Sequence, residues 1–258
     1  MIESILPQVR RWLDERGHSF TVIGIAGAQG SGKSTLVRDL AAQLTADGWR
    51  VATLSLDDIY LTRAERLGLA AQVHPLLATR GVPGTHDVAL GLATIAALAR
   101  GEAVPLPRFN KGRDDRAPER DWPIAPAGTK VLLLEGWCLG AAPQPELHLT
   151  QPVNHLEALE DPDGSWRRHA NAALARDYPA LWQRIGRLVF LAAPGWEVVA
   201  NWREQQEAEL RRSAPAAMSP EQVTRFIQHY ERLTRWMLAE LPAQADLTLR
   251  LDRERRVL

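Results

Sequence analysis

Residues 27–34 read Gly27-Ala28-Gln29-Gly30-Ser31-Gly32-Lys33-Ser34 and match the pattern G-x-x-x-x-G-K-[ST] of a phosphate-binding loop. The apolar run at 22–26 before it is typical of a buried strand, and the leucines spaced four apart in 35–44 behind it are typical of a helix. Because glycines leave backbone N–H groups free to surround a phosphate at the positive end of that helix, the loop predicts a nucleotide site. We expect every residue from Gly27 to Thr35 to contact ATP, with Lys33 at the β- and γ-phosphates and Ser34 ligating Mg²⁺.

Lysine is rare in this chain. Only three of its 31 lysine and arginine residues are lysines, at positions 33, 111 and 130. In a sequence that otherwise uses arginine, a lysine indicates a site that needs a compact charge on a flexible stem. Lys33 is such a site, Lys111 is a second candidate, and Lys130 is expected on the surface ahead of an apolar strand.

The overall composition argues against several classes of protein. The formal charge is zero, so a large basic surface is absent and nucleic acid is not expected as the main partner. The first residues lack the pattern of a secretory leader, and no stretch approaches about 18 uninterrupted apolar residues, so no membrane contact is expected. The single cysteine, Cys138, excludes an internal disulfide and a cysteine-based zinc site. We expect a cytoplasmic protein, and the sequence makes no prediction about its oligomeric state.

Apolar runs alternate with helical patterns along the chain. Further strands are predicted at 50–56, 131–136, 188–193 and 246–251, and helices at 2–16, 88–100, 196–212 and 219–240. A polar insertion with a helix is expected at 151–184, and a loop without periodicity at 105–128. This alternation predicts an α/β fold of the P-loop NTPase type, with a mostly parallel sheet, helices on both faces and a helical lid.

Three acidic residues follow predicted strands, at the edge where ligands bind in parallel α/β sheets. Asp57 and Asp58 end the second strand, and Glu135 ends the third. Phosphoryl transfer needs a carboxylate beside the acceptor hydroxyl and a metal ion on the phosphates. We therefore interpret Asp57 as the base and Glu135 as the acid that orients Mg²⁺ or its waters. The alternatives are that Asp57 or Asp58 caps a helical segment starting at Ile59, and that Glu135 is a solvated strand end.

Two further segments carry clustered polar side chains. A Pro-Gly turn groups Arg80, His86 and Asp87, and the charged segment after it contains four cations, among them Arg108 and Lys111. All five are candidates to hold a small anionic or hydroxylated substrate, because a carboxylate needs fixed cations. The alternatives are that Asp87 caps the following helix, that His86 is an ordinary surface or satisfied residue, and that the charged segment is solvated.

The helix predicted at 196–212 carries Arg203 and Arg211 about two turns apart, roughly on one face. Arginines on a helix that closes over the phosphates would supply positive charge in the transition state and exclude water. We interpret Arg203 as this catalytic cation. The alternative is a set of surface ion pairs at i,i+4 spacing, such as Glu207 with Arg211.

Six segments together make the chain resemble a known family. They read GAQGSGKST, LSLDDIYLT, RGVPGTHD, PRFNKGRDDR, LLLEGWCLG and, in the lid, WRxxQ. In this order, over about residues 22–212, they resemble the D-glycerate 3-kinase family, the plant- and fungal-type glycerate kinases with bacterial relatives. That family is similar to the phosphoribulokinases, uridine kinases and pantothenate kinases among the P-loop kinases. Two positions depart from its pattern: Asn110 stands where an aspartate is expected, and Ile59 replaces the usual phenylalanine.

The resemblance implies ATP-dependent phosphorylation of the 3-hydroxyl of D-glycerate. It implies the roles given above to Lys33, Ser34, Asp57, Glu135 and Arg203, and it places Asp58 and Tyr60 at the acceptor. It also implies one kinase domain over 1–258, with acceptor-site insertions at about 59–128 and a lid at about 196–218. The alternatives are the same chemistry on a nucleoside, a pantothenate-like compound or a sugar, and a non-catalytic nucleotide-dependent switch, which would need no acceptor base.

Overall fold

A parallel sheet of five strands lies at the centre of the structure, a computed structural model that describes residues 1–17, 19–213 and 218–258. The strands in chain order are β1 (Thr21–Gly27), β2 (Val51–Ser55), β3 (Val104–Pro105), β4 (Phe109–Asn110), β5 (Asp115–Arg116), β6 (Ile124–Ala125), β7 (Val131–Gly136), β8 (Arg187–Ala192) and β9 (Leu247–Arg250). The main sheet has the order β2-β7-β1-β8-β9, and each neighbouring pair in it is parallel. The predicted α/β fold with a mostly parallel sheet is confirmed.

The central strands are mostly apolar because the sheet is covered by helices. All seven residues of β1 are buried, and so are residues 131–134 of β7. The register aligns Ile25 of β1 and Ser55 of β2 with Glu135 of β7. The carboxyl ends of three neighbouring strands therefore meet at one edge, where the phosphate loop and the acidic residues emerge.

Within the described residues, ten α-helices surround the sheet. They are α1 (Ile2–Arg16), α2 (Lys33–Ala46), α3 (Arg63–Gln72), α4 (Val88–Ala99), α5 (Glu146–Leu149), α6 (His155–Glu160), α7 (Ser165–Arg176), α8 (Pro179–Trp182), α9 (Trp196–Ser213) and α10 (Pro220–Glu240). Helices α1, α4, α9 and α10 correspond to the four predicted outside the phosphate-loop unit. None of the described helices is both long and apolar enough to cross a bilayer.

Helix α2 fixes the phosphate loop at the edge of the sheet. It begins at Lys33, directly after the last glycine of the loop. Its predicted leucine stripe, Leu36, Leu40 and Leu44, is buried, and the helix contacts β1, β2 and β7. Burial of this stripe therefore aims the positive end of the helix at the site where the loop opens.

Some local predictions need correction. The segment 105–128 is not without structure, because β4 pairs with β5 and β6 pairs with β3, both antiparallel. The insertion at 151–184 contains α6, α7 and α8 rather than one helix. Residues 214–217 of the predicted lid lie outside the described residues.

Asp57 and Asp58 do not cap a helical segment. They lie inside a 3₁₀ turn, Leu56–Ile59. The cap is Ser55, whose Oγ accepts a hydrogen bond from the backbone N–H of Asp57 at 3.2 Å. Both carboxylates are thus free of the capping role that was their alternative interpretation.

Candidate active site

A cleft of about 570 Å³ opens at the carboxyl edge of the sheet. Its first group of lining residues belongs to the phosphate loop and the strand end beside it: Gln29, Gly30, Gly32, Lys33, Ser34, Thr35 and Glu135. A second group surrounds the predicted base and comprises Asp57, Asp58, Tyr60, Arg80, Lys111, Trp137 and Tyr230. The remaining residues are Ser55 at the end of β2 and five from α9, α10 and the C-terminal segment: Arg203, Gln205, Gln206, Phe226 and Arg255. The predicted nucleotide loop and the predicted base therefore share one cleft.

The phosphate loop depends on two glycines in left-handed conformations. Gly30 has φ 75° and Gly32 has φ 90°, backbone angles that residues with a side chain rarely adopt. The Nζ of Lys33 donates to the carbonyl oxygen of Ala28 at 3.0 Å. Burial lowers the pKa of Lys33, and the charges of Glu135 and Asp57 oppose that shift. The ammonium has three N–H donors, so Lys33 has further donors for phosphate oxygens beside the Ala28 carbonyl.

Ser34 and Glu135 form a pair of hard oxygen donors at the mouth of the loop. Ser34 Oγ donates to Glu135 Oε1 at 2.8 Å, although the two residues are 101 positions apart in the chain. Magnesium prefers six oxygen ligands and usually takes several of them from phosphates and water, with one or two from protein. No cluster of three or more His, Cys, Asp or Glu suited to a metal occurs in the described part of the chain. The pair therefore fits Mg²⁺ that is delivered with a nucleotide.

The carboxylate of Asp57 accepts two hydrogen bonds, one from a residue nearby in the chain and one from a distant segment. Tyr60 Oη donates to Oδ1 at 2.7 Å, and Lys111 Nζ donates to Oδ2 at 2.6 Å. Burial by itself raises the pKa of Asp57, but the charge and hydrogen bond of Lys111, the bond from Tyr60 and the charge of Lys33 together lower this pKa to about 2. Asp57 is therefore a carboxylate at neutral pH, able to accept a proton or to orient a hydroxyl.

Asp58 contacts the segment that also carries Lys111, but it binds Phe109 and Arg108 there instead of the lysine. Its Oδ1 accepts from the backbone N–H of Phe109 at 3.2 Å, and its Oδ2 accepts from Nη1 of Arg108 at 3.4 Å. Burial raises the pKa of Asp58, and Arg108 and the Phe109 N–H oppose the shift. Arg108 is held by this pair and by its bond to the Pro107 carbonyl at 2.7 Å, outside the cleft lining.

Arg80 lines the cleft, and its guanidinium is held by residues outside the cleft lining. Its guanidinium forms an ion pair with Asp114 and lies 5.5 Å from the centroid of the Phe109 ring. Asp114 is in turn held by the buried Arg66, which donates to the Asp114 carbonyl at 2.6 Å and lies 3.0 Å from Oδ2. Two arginines thus share one carboxylate, and the one that reaches the cleft is Arg80.

His86 and Asp87 lie behind the wall of the cleft. His86 is only 5% exposed, its Nδ1 is 2.6 Å from Tyr178 Oη, and its ring stacks on Tyr60 at 4.8 Å between centroids. Burial lowers the pKa of His86 to about 3, so the imidazole is neutral at physiological pH. Asp87 accepts from the N–H of Leu90 at 2.9 Å as the cap of α4 and also pairs with Arg116 at 2.9 Å. Both side chains are engaged within the protein, and His86 supports Tyr60.

Arg203 faces the cleft from α9. It pairs with Glu207 at i,i+4 spacing, donates to Gln206 at 2.9 Å, and lies 5.5 Å from the centroid of the Phe226 ring. Arg211 pairs with Glu204 rather than with Glu207, so the ion pair named as the alternative does not form. Arg203 therefore lines the cleft and has two hydrogen-bonding partners within α9.

Sequence reasoning missed several cleft residues. Trp137 Nε1 donates to the Gly81 carbonyl at 2.9 Å, and Tyr230 Oη donates to the Arg80 carbonyl at 3.0 Å. The Trp137 and Tyr230 rings meet edge to face at 4.9 Å. The position of Trp137 two residues after Glu135 was a usable signal, because side chains beyond a parallel strand end face the ligand crevice. Tyr230 lies on an amphipathic helix and carries no such signal.

The comparisons with known proteins match the phosphate loop to a GTPase family and most of the chain to kinases. The sequence profile of the methylmalonyl Co-A mutase-associated GTPase MeaB family matches residues 5–61, the part that contains the phosphate loop. Over 244 residues the chain is 36% identical to the uncharacterized kinase mug58 of Schizosaccharomyces pombe, covering 89% of this chain and 86% of that one. Over 253 residues it is 33% identical to the chloroplastic D-glycerate 3-kinase of Arabidopsis thaliana, covering 91% of this chain and 53%, about half, of that protein.

A solved structure supports the same assignment. The D-glycerate 3-kinase from Cryptococcus neoformans var. grubii superposes with a TM-score of 0.83 at 26% identity, covering 100% of this chain and 97% of that one. This similarity extends over the whole sheet and the cleft at its edge. The chain is an ATP-dependent kinase, and it belongs to the D-glycerate 3-kinase family of P-loop kinases.

Proposed function

We propose that the protein transfers the γ-phosphoryl group of ATP to the 3-hydroxyl of D-glycerate. The observation that carries the proposal is the pair of cations, Arg80 and Lys111, that lines the cleft around the carboxylate of Asp57. A small hydroxy acid presents a carboxylate to such cations and a hydroxyl to the base. An uncharged acceptor would offer Arg80 and Lys111 no carboxylate beyond Asp114 and Asp57, with which they already pair.

The nucleotide side of the cleft supplies charge and geometry. Backbone N–H groups of the loop and the ammonium of Lys33 would receive the phosphates. Ser34 and Glu135 would hold Mg²⁺, which neutralises charge on the phosphate oxygens when it is bound. Arg203, from α9, would add positive charge where the transferring group passes, and we propose that α9 acts as the lid.

Asp57 acts on the acceptor. In the reaction the glycerate oxygen forms a bond to Pγ, the bond from Pγ to the β-bridging oxygen breaks, and the hydroxyl proton passes to Asp57. The transition state of phosphoryl transfer is loose, so a carboxylate of low pKa is sufficient to orient the hydroxyl before the proton leaves. When the glycerate carboxylate draws Lys111 away from Oδ2, the pKa of Asp57 rises and its basicity increases.

The deciding experiment measures product formation with purified protein, Mg·ATP and a panel of acceptors. The panel contains D-glycerate, L-glycerate, uridine, pantothenate and a hexose at equal concentration. ³¹P NMR identifies the position of the new ester, because phosphorus on the CH₂ carbon of glycerate couples to two protons and phosphorus on the CH carbon couples to one. Saturable activity on D-glycerate with a two-proton coupling supports the proposal. Activity confined to an uncharged acceptor, or a one-proton coupling, contradicts it.

A further inference from the structure

Arg255 contacts the phosphate loop from a distant part of the chain. Its Nε donates to the carbonyl oxygen of Gly30 at 2.6 Å, and its Nη2 donates to Oε1 of Gln205 on α9 at 3.0 Å. Its guanidinium also lies over the ring of Trp202, 5.0 Å from the centroid. One side chain in the cleft lining therefore joins the phosphate loop to the lid helix.

Gly30 is a part of the loop that needs support from outside. Glycine loses more conformational freedom on ordering than any other residue, and Gly30 has the left-handed φ of 75°. A Cβ built on Gly30 would lie only 2.7 Å from the Cβ of Trp202. Helix α9 thus packs directly on the loop at this point, and only glycine leaves room for it.

The contact from Arg255 sets the orientation of one peptide group. The carbonyl of Gly30 and the N–H of Ser31 belong to the same planar trans peptide, so fixing the carbonyl also fixes the direction of the N–H. That N–H donates to the Ala28 carbonyl at 3.3 Å, the same oxygen that receives Lys33 Nζ. A loop that binds phosphate through its backbone gains affinity when such peptides are already in place.

The segment that carries Arg255 is held rigidly against α9. Trp202 Nε1 donates to the carbonyl of Arg253 at 2.8 Å, and Leu251 pairs with Val257 across the turn. Arg255 itself has φ 67°, which is unfavourable for a residue with a side chain. The contacts with the loop and α9 keep the residue in this conformation.

We propose that Arg255 is a positioning residue for nucleotide binding. It holds the phosphate loop in the shape that receives the ATP phosphates, and it ties this shape to the lid helix through Gln205. The inference rests on the proposed function only in taking ATP as the ligand, and it is independent of the acceptor.

Calorimetric titration of Mg·ADP into wild type, Arg255→Ala, Arg255→Lys and Arg256→Ala tests the proposal. Arg255→Ala should bind Mg·ADP about tenfold or more weakly, because the loop must then be ordered by the ligand. Arg255→Lys should lose most of that affinity too, since an ammonium lacks the planar fork that reaches Gly30 and Gln205 together. Arg256→Ala is the matched control, because its side chain is 74% exposed and pairs only with Asp252 and Glu254 in the described structure. The control should bind as wild type.

Kinetics separate positioning from a general loss of structure. Arg255→Ala should raise KM for ATP by a similar factor and leave KM for the acceptor at saturating ATP within about twofold. Mg·ADP affinity of Arg255→Ala within twofold of wild type overturns the proposal, and so does full rescue by Arg255→Lys, which would reduce the role to charge. If Arg255→Ala does not fold, Arg255→Gln replaces it, with the same expectation. A negative result with D-glycerate leaves this titration valid, because ADP binding involves no acceptor.

Discussion

Asp57 and Asp58 are adjacent in a 3₁₀ turn, yet they contact different partners. Side chains of consecutive residues in such a turn point about 120° apart. Asp57 thus meets Tyr60 and Lys111, which both line the cleft, whereas Asp58 meets the backbone of Phe109 and the side chain of Arg108. Each carboxylate oxygen has two lone pairs, so Asp57 keeps room for an acceptor hydroxyl. The contacts favour Asp57 for chemistry and Asp58 for holding a loop.

This difference predicts unequal effects of two matched substitutions. Asp57→Asn should lower kcat by roughly 10²- to 10⁴-fold, the range for loss of a general base, with little change in ATP affinity. Asp58→Asn should lower kcat less, because an amide oxygen still accepts from the Phe109 N–H. Steady-state kinetics on both variants, with ATP affinity measured separately, make the comparison. A larger loss in Asp58→Asn would reverse the assignment of the base.

The low pKa of Asp57 also predicts a dependence of stability on pH. The pKa of this carboxyl is about 2 in the folded protein and about 4 in an unfolded chain, so the folded state favours the ionised form. The resulting stabilisation is complete above about pH 4 and is lost as pH falls from about 4 to about 2. Urea unfolding between pH 5 and pH 2.5 should therefore show a smaller loss of stability in Asp57→Asn than in wild type.

A second variant tests the cause of that shift. Lys111→Ala removes the charge and hydrogen bond that oppose the effect of burial, so the pKa of Asp57 should rise toward or above its ordinary value. The acid-dependent loss of stability should then shrink as it does in Asp57→Asn. A Lys111→Ala variant with the full wild-type dependence would assign the low pKa to Tyr60 and Lys33 instead.

Among the elements, the segment from β4 to β5 packs against the turn that carries Asp57 and Asp58. Asp58 binds it at Phe109, and Arg116 of β5 donates to the Tyr60 carbonyl at 2.9 Å. Lys111 lies at the tip between the two strands, with 60% of its side chain exposed apart from the contact with Asp57. The frame of the segment is thus fixed while its tip lysine remains free to change partners.

The position of Lys111 predicts a selective effect on the acceptor. Lys111→Ala should raise KM for D-glycerate tenfold or more, because one partner of the acceptor carboxylate is lost, at a cost of about 2 kcal/mol. KM for ATP should stay nearly unchanged. Arg108→Ala is the matched comparison from the same segment and should change KM for D-glycerate less, since Arg108 pairs with Asp58. Initial rates with each substrate varied in turn give both constants. Unchanged kinetics with D-glycerate in Lys111→Ala would show that Lys111 does not bind the acceptor and that the tip is solvated surface.

Elements with a strong local signal were predictable from the sequence. The phosphate loop is fixed by its glycine spacing, and the strands by continuous apolar runs that only a covered sheet explains. The pairs β3–β6 and β4–β5 were missed because two-residue strands show no periodicity. Their hydrogen bonds instead depend on where Asp58 and Arg116 hold the segment.

At the scale of the whole molecule, the wall of the site could not be predicted. The placement of His86 depends on Tyr178, which is 92 residues away in the chain, and that of Asp87 depends partly on Arg116. Likewise, Arg255 reaches Gly30 across 225 positions. Tyr178 precedes α8, Arg116 lies on β5 and Arg255 follows β9, so these contacts depend on how distant segments pack together, which no local pattern encodes. The motifs predicted site residues near the strand ends, and the fold decided which other side chains line the cleft.

Nucleotide binding should stabilise the entire fold, because the loop, α2, β7 and α9 meet around one cleft at the edge of the sheet. Mg·ADP at 100 times its Kd adds about 2.7 kcal/mol. For a chain of this size each kcal/mol raises Tm by about 2–4 °C, so a rise of roughly 5–10 °C is expected. Chelation of Mg²⁺ with EDTA should reduce this rise.

We expect the part of that rise in Tm that depends on Mg²⁺ to require the Ser34–Glu135 pair. Glu135→Gln keeps an oxygen beside Ser34 but loses the negative charge, so Mg²⁺ binds more weakly and the difference in Tm between ADP with Mg²⁺ and ADP with EDTA should shrink. The rise with ADP in EDTA should remain as in wild type, since Lys33 and the loop are unchanged. Thermal unfolding of both proteins under the two conditions measures these four values. An undiminished Mg²⁺-dependent rise in Glu135→Gln would place the metal away from this strand end and leave Glu135 a solvated terminus of β7.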